Sequence, residues 1–102
     1  VAVHIQPIYT CFDEVIPFIY VIRVKGRQRE ALRAFLSKKG VETHVHWRPI
    51  HLYKFFENAK KIGSLDVTET AGAEVLTLPL HSQMQEHAIK HVYRAVQEFY
   101  SS

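Results

Sequence analysis

IPFIYVIRVKGRQREALRAFLSKKGVETHVHW, residues 16–47, decides the fold. Residues 16–24 are β-branched and aromatic almost throughout, as in a strand buried on most of both faces. Gly26 breaks that run. Residues 27–39 then place Leu32, Phe35 and Leu36 at i, i+3 and i+4, on one helical face. Lys38 and Lys39 fall in the last turn, where cations suit the negative end of the helix dipole. Gly40 is the residue expected just past a helix C-terminus. The order is strand, helix, strand, and the second strand opens at Val41.

That second strand runs into the most informative part of the chain, residues 41–56, VETHVHWRPIHLYKFF. Val41, Thr43, Val45 and Trp47 alternate with Glu42, His44 and His46, so a period of two puts them on opposite faces. The first face suits a core; the second carries an acid and two imidazoles. Pro49 ends the strand, because it fixes its own φ and has no N–H to donate. His51 follows, and LYKFF reads as a short helical turn. A histidine-bearing strand end that turns sharply beside Trp47 is a candidate ligand edge.

Outward from this stretch the signals are shorter. Val1, Val3 and Ile5 alternate with Ala2, His4 and Gln6, which predicts a short strand ending near Pro7, with residues 8–12 as a candidate continuation. Residues 57–65 form a polar connector with Gly63 and Ser64. Asp66 and Glu69 have capping-box spacing before a short helix, 67–75. Leu76, Leu78 and Leu80 mark a strand that meets Pro79. Ser82 and Gln85 repeat the capping-box pattern. Ala88, Val92, Ala95 or Val96, and Phe99 then recur at helical spacing. The fold class is α+β: a small, mostly antiparallel sheet of three or four strands, with the two long helices covering one face.

Composition narrows the function classes. Residues 1–102 make a single domain. A 47% hydrophobic content with 12% aromatic argues against disorder. The net charge of +3 is modest and its basic residues are interspersed with acids, which argues against nucleic acid as a partner. Cys11 is the only cysteine, so no internal disulfide or thiolate zinc site forms, and a reducing, cytoplasmic setting is expected. No apolar run approaches the roughly 20 residues that span a bilayer, so no membrane role is expected. The chain opens on Val1, not Met, within an expected strand, as a fragment of something longer would.

Histidine is the main candidate chemistry, with seven in the chain. His44 and His46 share a strand face, roughly 7 Å apart at Cα, and His51 lies past the turn. One alternative is a free-standing binding module holding zinc through His44, His46 and His51. The other is that these are ordinary surface or interface histidines. Cys11 lies in an apolar run and is expected to pack as a small hydrophobe. Tyr93 and Phe99 read as core. The glycines are isolated, so no phosphate-cradling loop is present.

The ordered residues also carry a family resemblance. Arg29-x-x-Leu32-x-x-x-Leu36-x-x-x-Gly40-Val41-Glu42-Thr43, then Val45-His46-Trp47-Arg48-Pro49-Ile50-His51, resembles the C-terminal small domain of the DegT/DnrJ/EryC1/StrS sugar aminotransferases. Leu65-Asp66-Val67-Thr68-Glu69 and Glu74-Val75-Leu76-Thr77-Leu78-Pro79-Leu80-His81 are similar to that family's closing segments. The resemblance implies the small domain of the aspartate-aminotransferase fold. It implies a pyridoxal-phosphate enzyme that transfers an amino group to a nucleotide-linked keto sugar, working as a homodimer.

The family's cofactor lysine belongs to the N-terminal large domain. None of Lys25, Lys38, Lys39, Lys54, Lys60, Lys61 or Lys90 stands in that context. No cofactor and no catalytic residue are therefore expected in this chain. His46, Trp47 and His51 are the implied substrate-binding residues, at the cleft wall. Asp66 departs from the family, which commonly has proline there.

Overall fold

A computed structural model describes residues 3–8, 11–46 and 48–101. Three strands, β1 (Ile5–Pro7), β2 (Tyr20–Val24) and β3 (Val75–Leu78), form one sheet in the order β1-β2-β3. Both pairings are antiparallel, with Ile5 opposite Val24 and Ile22 opposite Leu76. Helices α1 (Arg29–Lys38), α2 (Asp66–Glu74) and α3 (Glu86–Ser101) complete the fold, with short 3-10 turns at Ile50–Leu52 and Lys54–Phe56.

The core forms where alternation in the sheet meets helical periodicity. Ile22 and Val24 point to one face of β2 and are buried with Leu76 of β3. Leu32 and Leu36 of α1 and Ala95 and Val96 of α3 close over them. Leu32, Leu36 and Leu76 are fully buried, each worth about 1.5–3 kcal/mol. The two long helices thus cover one face, as their periodicity predicts. The shorter α2 sits lightly on the other face, and its Val67 is 83% exposed.

Several boundaries differ from expectation, for local reasons. β2 starts at Tyr20, not Ile16: Pro17 interrupts the run, and Ile16 and Phe18 are 97% and 82% exposed. Helix α1 starts at Arg29 because Gly26 and Arg27 have φ of 72° and 58°, outside the right-handed helical region. Gly40 has φ 78°, as a residue closing a helix does. Ile8, Cys11 and Phe12 are not part of β1, although the Ile8 N–H still donates to Val21 O at 3.2 Å. Residues 9 and 10 lie outside the described ones.

Neither capping box forms. Asp66 is the first residue inside α2, and its N–H is met by Ser64 Oγ at 3.2 Å. Gln85, not Ser82, precedes α3, its carbonyl accepting from the Ala88 and Ile89 N–H groups. Cys11 is exposed rather than packed, with Sγ 3.6 Å from Asp13 Oδ2. Tyr93 is 60% exposed and outside the core.

Candidate functional site

The second expected strand is present as an extended segment with one bridge. His44 pairs antiparallel with Thr77 on the free edge of β3. The two backbone bonds run His44 N–H to Thr77 O at 3.1 Å and Thr77 N–H to His44 O at 2.8 Å. The alternation holds along it: Val41 and Thr43 are buried, while Glu42, His44 and His46 are exposed. The imidazoles therefore stand on the face opposite the main core. Trp47 lies outside the described residues.

That face carries a cavity of about 410 Å³ between the sheet and α2. His46, Thr77 and Thr68 are its polar side chains, and Val21, Pro49, Ala71 and Val75 are among its apolar walls. His46 Nδ1 lies 2.9 Å from Thr77 Oγ1. The His44 ring is 5.6 Å from that of His46, centroid to centroid, and His44 Nε2 stands 3.7 Å from Glu42 Oε1.

His51 is placed differently. Its side chain is 11% exposed and its Nε2 meets Glu69 Oε1 at 2.8 Å. Glu69, the acid of the expected capping box, thus reaches across to the turn after Pro49 instead of back to Asp66. Pro49 is buried against Gly72 of α2, where a Cβ would meet its ring at 2.5 Å. His44, His46 and His51 do not gather: among the described residues no group of three or more His, Cys, Asp or Glu side chains is able to hold a metal ion.

The far end of α2 is fixed by cations, which suit the negative end of its dipole. Arg23 Nη2 and Lys25 Nζ lie 2.6 and 3.4 Å from Glu74 Oε2. Burial pushes the Glu74 carboxyl up, but the hydrogen bonds and charges of Arg23 and Lys25 outweigh it and hold it below the usual carboxylate range. Arg29 of α1 donates to the Gly72 carbonyl and, at 3.4 Å, to that of Val75. The floor, wall and turn of the cavity are thereby tied to the core. Thr77 is the site residue that sequence reasoning missed. The available signal was its place between Leu76 and Leu78, which turns it to the imidazole face.

Lys25, Lys39 and Lys90 pair with Glu74, Glu98 and Glu86 at 3.4, 3.0 and 3.0 Å. Lys38, Lys54, Lys60 and Lys61 are exposed. No helix among the described residues is long and apolar enough to cross a membrane.

Comparison with known proteins places this geometry. A family model described as the DegT/DnrJ/EryC1/StrS aminotransferase family matches residues 4–97. The chain is 33% identical over 79 residues to a pleiotropic regulatory protein of Geobacillus stearothermophilus, covering 76% of this chain and 21% of that protein. Its fold matches DesV of S. venezuelae, solved with a ketimine intermediate, at a TM-score of 0.84 and 25% identity. That match covers 97% of this chain and 27% of DesV. Helicobacter pylori PseC, an aminotransferase of pseudoaminic acid biosynthesis, shares the fold at a TM-score of 0.83 and 18% identity, over 96% of this chain and 28% of its own.

Proposed function

Because the chain belongs to the DegT/DnrJ/EryC1/StrS aminotransferase family, we propose that it is the C-terminal small domain of a pyridoxal-phosphate aminotransferase acting on a nucleotide-linked keto sugar. The observation that carries this reading is the family match over residues 4–97 in a chain spanning 27% of a solved relative. The parent enzyme is expected to be a cytoplasmic homodimer with an N-terminal large domain. The radius of gyration supports a domain that relies on a partner: it is 15.5 Å, against about 13 Å for an independent domain of this size.

The residues present do not fit the cofactor, since the paired lysines are held by carboxylates and the others lie open to water. The work of this chain is to bind and orient. His46, exposed on the cavity face and held at Nδ1, keeps Nε2 for the substrate. His51 acts one step back: its ring spans to Glu69 and holds the turn that follows His46. Trp47 lies between them in sequence and is proposed as the aromatic contact.

The test is His46→Ala in an enzyme carrying this domain. A contact made equally in ground and transition states changes KM and leaves kcat alone. KM for the nucleotide sugar is expected to rise about 5- to 100-fold, the loss of one hydrogen bond involving a charged or polar ligand. The half-reaction with the amino donor should be unchanged. A fall in kcat with unchanged KM contradicts the proposed role.

A further inference from the structure

We propose that Thr77 is a positioning residue for His46: its hydroxyl donates to Nδ1, fixes the neutral imidazole with its hydrogen on Nε2, and so presents a donor to an acceptor oxygen of the ligand. This deepens, and rests on, the reading of His46 as a substrate contact.

The geometry begins with register. His44 and Thr77 are direct antiparallel partners, so their side chains share a face. His46, two residues on, returns to that face on the diagonal from Thr77, within reach of a long side chain. The result is the 2.9 Å approach of Nδ1 to Oγ1. One residue therefore sets the segment's register with its backbone and the ring's orientation with its side chain.

Burial decides the direction of the hydrogen bond. Thr77 is 6% exposed, whereas His46 is open to solvent. A threonine hydroxyl has one hydrogen to place and two lone pairs. Among the described residues, His46 Nδ1 is the partner of Oγ1. If Oγ1 only accepted, its own hydrogen would be left unmet in a buried place, which costs more than an unmet lone pair. If it donates, no buried hydrogen is left unmet: Nδ1 accepts, and the remaining N–H sits on Nε2 of the exposed ring. Glu42 lies on His44 Nε2, not on His46. An outward imidazole donor among largely apolar walls is the arrangement that orients a ligand in a mostly apolar pocket.

The test reads the tautomer directly by nitrogen-15 NMR of the full-length enzyme carrying this domain, with its histidines labelled, at a pH well above the ordinary imidazole value of about 6.5. The expected wild-type spectrum shows His46 unprotonated at Nδ1, with a slowly exchanging Thr77 hydroxyl proton near the ring. Thr77→Val should shift the tautomer ratio about two- to ten-fold toward the other form, the equivalent of one net hydrogen bond. Thr77→Ser should restore it. A proton on Nδ1 in the wild type overturns the proposal, and so does a ratio that Thr77→Val leaves unmoved in a folded variant. If the valine variant does not fold, the wild-type tautomer, the hydroxyl proton and the serine variant still decide. None of these readouts uses substrate, so failure of the His46 contact would show separately, in KM.

Discussion

His51 Nε2 and Glu69 Oε1 stand 2.8 Å apart, and the pair bolts the turn after Pro49 to the first half of α2. A residue of the histidine-rich stretch thus holds the cavity's wall instead of facing into it. His51→Ala or Glu69→Ala removes that tie at a cost of about 0.5–1.5 kcal/mol. Amide exchange should quicken across residues 49–56 while α1 and α3 stay protected. Equal quickening in α1 would show that the pair supports the whole domain.

Gly72 tests the packing beneath the same turn. In an exposed helix, Gly→Ala stabilises by about 1 kcal/mol. Here the added Cβ would meet Pro49 Cγ at 2.5 Å and Cδ at 2.7 Å. Gly72→Ala is therefore expected to destabilise by about 1–3 kcal/mol, the usual cost of overpacking. A thermal melt that rises instead contradicts the Pro49 contact.

The pH dependence follows from Glu74. Burial pushes its carboxyl up, but Arg23 and Lys25 outweigh that and hold it below the ordinary carboxylate range. A lowered folded-state value means stability that is present above the unfolded-state value and lost as pH falls through the folded one. Denaturant midpoints should fall as pH drops below about 4.5. Glu74→Gln should lower stability near neutrality and flatten that acid limb. An unchanged acid limb in the variant would place the effect elsewhere.

The apolar stretch beyond the turn predicts association. Phe55 is 88% exposed and Ile50 65%, with Phe56 and Leu52 at 40% and 41%. The Phe55 and Phe56 rings lie edge to face, 5.0 Å between centroids, and exposed apolar groups clustered in this way mark an interaction face. Phe55→Ser should leave the melt within about 0.5 kcal/mol of wild type, as an exposed substitution does. Sedimentation should show less self-association. A monomeric wild type, or a collapsed melt in Phe55→Ser, would contradict the interface reading.

The parts legible in the sequence were those fixed by periodicity. The spacing of Leu32 and Leu36, and of Val92, Val96 and Phe99, located both long helices, and the alternation from Val41 to His46 put the imidazoles on the correct face. What the sequence hid was set by contacts distant along the chain. Glu69 has capping-box spacing to Asp66, yet a histidine 18 residues away takes its carboxylate. Residues 16–19 have strand composition, but Pro17 interrupts the run and they lie outside the sheet. Thr77 looked like a spacer between leucines, because only the bridge to His44 gives its hydroxyl a partner.

The most direct measurement is the length of the native polypeptide and the place of its pyridoxyl group. Antibody raised against this chain should detect a protein several times larger than 11.9 kDa, since the chain spans 27% of DesV. After borohydride reduction, mass spectrometry should find the pyridoxyl group on a lysine outside residues 1–102. A native protein of this chain's own size, or a stoichiometric pyridoxyl adduct on one lysine within it, would contradict the account.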